Sequence, residues 1–372
     1  MSMPQTSEPV AVNIGEIRSQ LRAMWASEAM HQDAVIRAST HNLIVFVADH
    51  AAAEETTQRI IELTTDRPGR VILIDVEPGD EDRVDSWVTT YCRTVGKKQI
   101  CGELITLAVR GSLREEIHST VISLLSPDLP VYLWWTSDLN ANDQLFGRLS
   151  QNADRVLVDT SLFGSDAQGL SEVAILPKEL PTGDLNWARL TVWRQLLAQL
   201  WDMGTLQQPL RTIQSIEIEY AASNKHQDGE RALLMTGWLA DTFEWELASA
   251  QRKIDGGYVA QWRKGDWAGQ ISLIEARRTD LPSGEITNIH IEAGQKAPFV
   301  RPRLFLNADL GCIETITSDS EDASHSMCRF KPVSISGALA EEIDLGYDPV
   351  YRHALNRAVE ILTACGKLED HT

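Results

Sequence analysis

The residues of this chain that could do redox chemistry are its cysteines, and one pair lies close together in the sequence. Cys92 and Cys101 are nine positions apart, and Lys97 and Lys98 stand between them. Nearby ammonium groups stabilise a thiolate, which is the form that takes part in disulfide exchange. Spacing alone does not fix the distance between two sulfur atoms. We therefore keep this pair as a redox candidate and favour the simpler interpretation as ordinary thiols.

Three further cysteines, Cys312, Cys328 and Cys365, lie in the last quarter of the sequence. Cys312 and Cys328 could meet across a hairpin, and His325 adds a third ligand of the type that zinc prefers. Their spacing matches none of the common zinc modules and a fourth ligand is not evident, so the sequence predicts no metal site. All five cysteines remain redox candidates, although we favour ordinary thiols for this second pair as well.

Acidic residues stand at the ends of several predicted strands. Asp75, Glu77, Asp138 and Asp159 each lie at or just after the end of an apolar run. Carboxylates in such places could bind a metal ion or sugar hydroxyls, but they are also common in turns and helix caps. We favour turns and caps. The alternative function is a divergent enzyme that acts on a phosphosugar or a nucleotide through Asp49, Asp75 and Asp159.

The motifs of phosphate binding and nucleophilic catalysis are missing from the sequence. The first predicted strand is followed by residues 49–55 (DHAAAEE), which contain no glycine, and Glu54 and Glu55 would repel a pyrophosphate. There is no G-x-G-x-x-G, no P-loop, no G-x-S-x-G, no H-E-x-x-H and no C-x-x-C. The sequence therefore predicts no cofactor and no catalytic constellation.

Tryptophan is the residue type that stands out, with eleven copies. Trp134 and Trp135 are neighbours at the end of a predicted strand, where successive side chains point to opposite faces of the sheet. Tryptophan is enriched at the energetic centres of protein interfaces. For any single tryptophan, a place in the core is the better expectation.

Short β-branched apolar runs alternate with helix-like segments over residues 41–165, which predicts a Rossmann-like, doubly wound and mostly parallel sheet. A helical arm precedes this domain in residues 1–40, with its helix over residues 13–30. The predicted strands are 43–48, 71–76, 104–109, 131–135 and 155–159, and the predicted helices are 51–64, 82–94, 113–125 and 142–149.

The second half of the chain has a different pattern. Residues 166–210 are predicted as a linker followed by an amphipathic helix over 186–202. Residues 211–372 alternate apolar and polar positions and are joined by turn sequences, which predicts an α+β domain with an antiparallel sheet. The predicted strands are 216–220, 258–263, 270–276, 285–292 and 303–307, and the predicted helices are 228–242 and 349–366.

Composition excludes several classes of protein. The 372 residues carry 34 Lys plus Arg and 53 Asp plus Glu, which gives a formal net charge of −19. Nucleic acids and anionic membranes bind cationic surfaces, so we expect neither as a partner. Apolar residues make up 43% and charged residues 23%, as in globular domains. The N-terminal residues resemble no signal peptide, and we expect a cytoplasmic protein.

Four segments resemble a known family. They are residues 128–135 (DLPVYLWW), 153–163 (ADRVLVDTSLF), 184–202 (DLNWARLTVWRQLLAQLWD) and 232–245 (ALLMTGWLADTFEW), and they occur in the family's order. These segments resemble those of OpcA, the glucose-6-phosphate dehydrogenase assembly protein. The similarity extends from about residue 40 to about residue 365.

The resemblance implies a non-catalytic protein that binds glucose-6-phosphate dehydrogenase, favours its active oligomer and activates it allosterically in the oxidative pentose phosphate pathway. It also implies thioredoxin control through cysteines in cyanobacterial members, although only Cys365 lies near the C-terminal end here. The residues predicted to contact the partner, or to hold the contact surface, lie in the conserved-looking segments. They are Asp128, Trp134, Trp135, Asn186, Trp187, Arg189, Trp193 and Trp201.

Overall fold

The structure is a computed structural model, and it describes residues 5–31, 35–95, 98–140, 143–163, 167–222, 229–254, 256–294, 299–317 and 324–369. The chain divides into two compact units. The first consists of residues 1–162, 176–185 and 334–347, and the second of residues 163–175, 186–333 and 348–372. Each unit is built from three separate sequence segments. The predicted domains, with boundaries near residues 41, 166 and 211, were each one continuous segment.

The first unit contains a sheet of ten strands within the described residues. These strands are β1 (Gln5–Thr6), β2 (Val10–Ala11), β3 (Val35–Arg37), β4 (Asn42–Val47), β5 (Arg70–Val76), β6 (Arg83–Val95), β7 (Lys98–Arg110), β8 (Val131–Trp135), β9 (Arg155–Val158) and β10 (Thr182–Asp184). The helices of the chain are α1 (Ile17–His31), α2 (Ala53–Asp66), α3 (Leu113–Leu124), α4 (Gln144–Ser150), α5 (Gln168–Ala174), α6 (Leu185–Arg189), α7 (Thr191–Asp202), α8 (Glu230–Thr242), α9 (Ile335–Leu345) and α10 (Pro349–Glu369).

Six neighbouring strands of this sheet are parallel, in the order β7-β5-β4-β8-β9-β10. Counted from β4 as the first strand, this is the order 3-2-1-4-5-6 of the Rossmann sheet. All residues of β4 and β8 are buried. Such strands need cover on both faces, which is why their sequences are continuous apolar runs. The predicted doubly wound sheet is confirmed.

The predicted helix over residues 82–94 is wrong, because this segment forms strand β6. It pairs antiparallel with β7 along its whole length, for example Val88 with Ile105. Val84, Val88 and Tyr91 recur at a spacing of three or four, which imitates a helical stripe. The segment is also rich in β-branched and aromatic residues, which favour an extended chain when a long partner strand is available.

The N-terminal residues contribute more than a helical arm. Strands β1 and β2 pair antiparallel with β6, and β3 pairs parallel with β7. Helix α1 lies between β2 and β3 in the chain, and its Ile17 and Leu21 are buried. Part of the predicted linker is also structured, since β10 is the sixth parallel strand. The predicted helix over residues 186–202 is divided at Leu190 into α6 and α7.

The second unit contains an eight-stranded sheet within the described residues. Its strands are β11 (Ile213–Ala222), β12 (Glu246–Arg252), β13 (Tyr258–Lys264), β14 (Trp267–Arg277), β15 (Ile286–Ala293), β16 (Arg303–Asn307), β17 (Cys312–Ile316) and β18 (His325–Arg329), in the order β12-β13-β14-β11-β15-β16-β17-β18. All neighbours are antiparallel except β11 and β14. The predicted sheet is thus mostly antiparallel, and β12, β17 and β18 escaped prediction.

Helices α8 and α10 pack closely against each other in the second unit. A Cβ atom at Gly237 of α8 would lie 2.0 Å from the carbonyl oxygen of Ala354 in α10. Only glycine allows this approach of the two backbones. Within the described part of the chain, no helix is both long enough and apolar enough to cross a membrane.

Candidate functional site

Strands β4 and β8 meet where the strand order reverses, and in doubly wound sheets ligands bind in the crevice beyond such strand ends. Near these strand ends, aromatic side chains pack on one face of the sheet. Phe46 of β4 and Trp135 of β8 stack with ring centroids 3.8 Å apart, and Phe146 of α4 meets Trp135 edge-on at 5.1 Å. The guanidinium of Arg114 lies 5.3 Å from the centre of the Phe46 ring and bonds to Asp143 at 2.6 Å. The sheet face at these strand ends is therefore covered by the protein's own rings.

The turn after β4 is the second place where a dinucleotide-binding sheet must hold phosphate. The carboxylate of Asp49 accepts a hydrogen bond from the backbone N–H of Ala51 at 3.0 Å, at the start of a short 3₁₀ turn that leads into α2. Glu54 and Glu55 lie in the first turn of α2. Three carboxylates thus surround the helix N-terminus where a pyrophosphate would bind. These residues do not fit a dinucleotide.

A small polar cluster remains at the carboxyl ends of β4 and β5. Ligand atoms of His50, Asp75 and Glu77 lie within 4.8 Å of one another, and within the described residues this is the one such group. His50 Nδ1 lies 2.8 Å from one oxygen of Asp75, and Arg110 forms an ion pair with Glu77. Burial raises the pKa of Asp75, and the hydrogen bond with His50 opposes this shift.

This cluster could orient an imidazole as a proton acceptor, but it lacks the partners that the enzyme hypothesis required. Asp49 is occupied as a helix cap. Asp159 is fully buried and accepts a hydrogen bond from the Ser161 hydroxyl at 2.6 Å. The three predicted carboxylates therefore do not converge. The sequence analysis did not identify His50. The available signal was that His50 follows β4, the strand that pairs with β5, which carries Asp75.

Four of the tryptophans predicted to form a contact surface lie in the interior. Trp134, Trp135, Trp187 and Trp193 are at most 1% exposed. Trp134 and Trp135 point to opposite faces of β8, as predicted, but both faces are covered. These four rings therefore cannot contact a partner in this conformation, although they can hold a surface in place.

Asn186 and Arg189 are also buried, and they belong to a polar network in the second unit. The side-chain oxygen of Asn186 accepts hydrogen bonds from Arg189 and from Arg231, both at 3.0 Å. Arg231 in turn forms an ion pair with Glu285 at 2.9 Å, and both side chains are buried. Burial raises the pKa of Glu285, while the arginine charge opposes this shift. The network joins α6, α8 and the start of β15.

Trp187 adds a further link inside the second unit. Its indole N–H donates to Asp348 at 2.7 Å, and the guanidinium of Arg194 lies 3.7 Å from the ring centre. Tyr351 of α10 packs against the same ring at 5.9 Å. The 184–202 segment is thus the attachment of α6 and α7 to α10, which explains its dense set of large and polar residues.

Trp201 and Asp128 are the predicted contact residues that reach the surface. Asp128 is exposed at a turn where its φ is 62°, and the side-chain amide of Asn42 bonds to the carbonyl oxygens of Ser126 and Leu129 on either side of it. Trp201 is half-buried at the end of α7. Of the eight residues predicted to contact a partner, the structure thus places two on the accessible surface.

Trp201 belongs to a stack of four rings that we call the aromatic row. Trp201 lies 5.2 Å from Phe243, Phe243 lies 4.9 Å from Trp245, and Trp245 lies 4.4 Å from Trp267. Trp245 is buried and the other three rings are half-buried. Each ring has a carboxylate as a chain neighbour, and these exposed acids are Asp202, Glu244, Glu246 and Asp266. Sequence reasoning missed the row because its members come from three separate segments of the chain.

The cysteines divide into a bridge and three thiols. Cys92 and Cys101 face each other across β6 and β7 and form a disulfide with a Cα–Cα distance of 4.1 Å. The expectation of ordinary thiols is therefore wrong for this pair. Cys312 and Cys328 lie on neighbouring strands without a bridge, and Cys365 is a buried thiol. Burial and the nearby Glu314 raise the pKa of Cys312.

The zinc hypothesis has no support in the second unit. The His325 imidazole lies 2.7 Å from Glu314 rather than between Cys312 and Cys328. Within the described residues these three side chains do not form a group with converging ligand atoms.

Comparison with known proteins places both halves of the chain in one family. Residues 49–175 match the model described as the glucose-6-phosphate dehydrogenase subunit N-terminal domain, and residues 180–355 match the corresponding C-terminal domain. The chain is 33% identical over 196 residues to the OxPP cycle protein OpcA of Nostoc punctiforme, a match that covers 52% of this chain and 41% of that protein. For the protein of the same name in Synechocystis sp., the identity is 32% over 191 residues, which covers 50% and 39%. The match therefore covers well under half the length of these relatives.

Solved structures resemble this chain only at low similarity. An oxidoreductase of Bacillus subtilis, YvaA, gives a TM-score of 0.47 at 10% identity and covers 89% of this chain and 98% of its own. A myo-inositol dehydrogenase of Lactobacillus casei gives a TM-score of 0.43 at 10% identity, over 89% of this chain and 95% of its own. At this level the likeness says nothing about chemistry.

Proposed function

Because this chain belongs to the OpcA family of glucose-6-phosphate dehydrogenase assembly proteins, we propose that it is a non-catalytic protein that binds this dehydrogenase and favours its active oligomer. The relatives are named for the OxPP cycle, and the two matched regions span both halves of the chain. The proposed role is therefore in the oxidative pentose phosphate pathway.

The acidic turn after β4 is the observation that carries the non-catalytic part of the proposal, because it stands where a dinucleotide-binding sheet holds phosphate. Trp135 is 1% exposed and stacks on Phe46 in the core at the same end of the sheet. Asp49 occupies the helix N-terminus that would hold phosphate. A scaffold of the dinucleotide-binding type without a phosphate-binding turn can still present a rigid surface to another protein.

Activation by such a protein requires a preference between two states of its partner. If the chain binds the active form of the dehydrogenase more tightly than the inactive form, it shifts the population toward the active form. A preference of about 1.4 kcal/mol changes the ratio tenfold. No covalent step and no cofactor on this chain are needed.

We place the contact surface at the aromatic row. Trp and other aromatic residues dominate the centres of protein interfaces, while a polar rim surrounds them. Here half-buried rings stand beside exposed carboxylates, and Lys264 and Arg263 pair with Glu244 and Glu246. Asp202 and Asp266 add further negative charge. This surface suits a basic patch whose arginine or lysine side chains can lie on the rings and meet the acids.

The experiment is to mix the full-length chain with the dehydrogenase of the same organism and to follow the complex by sedimentation velocity. We expect a complex that weakens as salt rises. The charge reversals Asp202→Lys and Asp266→Lys should together weaken it about tenfold or more. Glu81→Lys, an exposed reversal in the first unit, is the matched control and should have little effect.

Two outcomes would count against different parts of this proposal. If no complex forms with the unmodified chain, binding of the dehydrogenase is refuted. If a complex forms but Asp202→Lys and Asp266→Lys leave its affinity unchanged, the assignment of the aromatic row is refuted while the partner stands.

Redox control is the remaining part of the proposal. Cys101 is fully buried and Cys92 is half-buried, so the Cys92 sulfur is the accessible end of the bridge. A thioredoxin-type dithiol would attack it, release two thiols on this chain and become a disulfide itself. Incubation with reduced thioredoxin should produce both thiols, measured by mass shift after alkylation. A bridge that survives this treatment would contradict the proposal.

A further inference from the structure

A cavity of about 640 Å³ lies in the first unit, at the end of the sheet opposite to the turn after β4. One wall is the face of α1 that carries Arg18, Leu21, Arg22 and Trp25. Arg70, the first residue of β5, forms part of the opposite wall. Ligand cavities in proteins usually measure about 300–1,000 Å³ and combine apolar walls with a few converging polar groups. This cavity has that size and that composition.

The positive charge of this cavity is only partly balanced by the protein. Among the described residues, one buried carboxylate, that of Glu103, accepts hydrogen bonds from side chains that line the cavity. Glu103 accepts from Arg70 Nε at 2.7 Å and from the Trp25 indole N–H at 2.5 Å. Arg70 is 9% exposed and Glu103 is 2% exposed, so this buried ion pair lies beside the cavity and carries no net charge.

Two arginines on α1 remain without a carboxylate. Arg18 and Arg22 are four residues apart, which places them on one face of the helix. Arg18 donates to the carbonyl oxygen of Ser123, and Arg22 Nε donates back to the carbonyl oxygen of Arg18. Within the described part of the chain neither forms an ion pair, whereas other arginines in this acid-rich protein do, as Arg59 does with Glu55.

We propose that this cavity binds an organic phosphate, namely a phosphomonoester that carries an aromatic group. Two guanidinium groups in a row suit the geometry of a phosphate dianion. The organic part would lie against the apolar lining, which consists of Leu21, Trp25, Ile122, Leu125 and Pro127. The inference does not depend on the proposed function. It places the ligand at the amino end of β5, whereas doubly wound sheets bind their cofactors at the carboxyl ends of the strands.

The carboxyl end of α3 offers a simpler role for two of the arginines. Arg70 Nη1 donates to the carbonyl oxygen of Leu124 at 2.7 Å, and Arg18 donates to Ser123, so both cap the helix end. Arg22 has no such role, because its bond is to a carbonyl of its own helix. Arg22 is also exposed, so its replacement should leave the fold intact. It is therefore the residue that separates a ligand site from a helix cap.

The test is isothermal titration of the full-length chain with AMP, glucose 6-phosphate and inorganic phosphate in separate experiments. We expect saturable binding of AMP. Glucose 6-phosphate and inorganic phosphate should bind more weakly because they lack an aromatic group. Arg22→Gln should weaken AMP binding about ten- to a hundredfold, since one charge-assisted hydrogen bond is lost. Arg211→Gln, an exposed arginine of the second unit, is the matched control and should bind as the unmodified chain does.

Three results would overturn the proposal. The first is no saturable binding of AMP. The second is equal affinity for AMP in the Arg22→Gln variant while its thermal unfolding is unchanged, because the phosphate would then lie elsewhere. The third is inorganic phosphate or glucose 6-phosphate binding as tightly as AMP, which would refute a contribution of the aromatic group to binding.

Discussion

Replacing Trp135 by alanine should destabilise the protein strongly, because this ring is packed in the core at the carboxyl ends of β4 and β8. Trp135 is 1% exposed, stacks on Phe46 at 3.8 Å and meets Phe146 at 5.1 Å. Loss of a buried Trp side chain costs about 3–5 kcal/mol when the cavity cannot collapse. Each aromatic pair adds about 0.5–1.5 kcal/mol beyond the buried area. Measured losses for buried Trp already contain part of this pair energy, so we expect the upper end of the first range, about 4–5 kcal/mol in the free energy of unfolding, for Trp135→Ala.

The assay is urea unfolding followed by far-UV circular dichroism, with the m-value checked for a change in cooperativity. Trp135→Phe keeps one ring in the stack and should cost about 1–2 kcal/mol. A double-mutant cycle with Phe46→Leu should give a coupling of about 0.5–1.5 kcal/mol between the two rings. A loss below about 1 kcal/mol for Trp135→Ala would show that the ring is not packed as described, and would refute the reasoning.

Three further predictions concern stability and binding. Reduction of the Cys92–Cys101 bridge, which closes a loop with a sequence separation of 9, should lower the free energy of unfolding by about 2–3 kcal/mol in denaturation with and without reductant, and an unchanged midpoint would contradict this. Burial, helped by the charge of Arg67, lowers the pKa of His41 to about 4, so the unfolded chain takes up a proton near pH 6.5 before the folded chain does. Stability should therefore fall by at most about 3 kcal/mol as pH drops from about 6.5 to about 4, and His41→Gln should flatten that part of the pH profile. Glu244 has a φ of 56° at the end of α8, so Glu244→Gly should raise the melting temperature by about 1–3 °C and yet weaken the proposed complex; a lower melting temperature would count against the conformational argument.

The parallel sheet could be predicted because its strands are buried on both faces. Residues 43–48 and 131–135 are continuous apolar runs, and such runs have few other places in a globular protein. Strand β6 could not be identified in the same way. Its Val84, Val88 and Tyr91 fit a helical period, and only the pairing with β7 decides between the two structures. Pairing over long distances is a tertiary property that a local pattern does not contain.

The candidate contact residues show a similar limit. A tryptophan in a segment typical of the family is equally suited to a core and to an interface, and burial distinguishes the two. Trp187 and Trp193 proved to be core residues, whereas Trp201 lies half-buried in the aromatic row. The row itself could not be predicted, because Phe243 and Trp267 are brought together by the fold. The absence of a glycine-rich turn, by contrast, was readable from residues 49–55 alone, since it depends on local sequence.

The most direct measurement is NADP-dependent oxidation of glucose 6-phosphate by the dehydrogenase alone, by this chain alone and by the two together at limiting substrate. If the chain acts by contact with the enzyme, the mixture is faster than the enzyme alone and the isolated chain produces no NADPH. Product formed by the isolated chain, or a mixture no faster than the enzyme, would contradict the account.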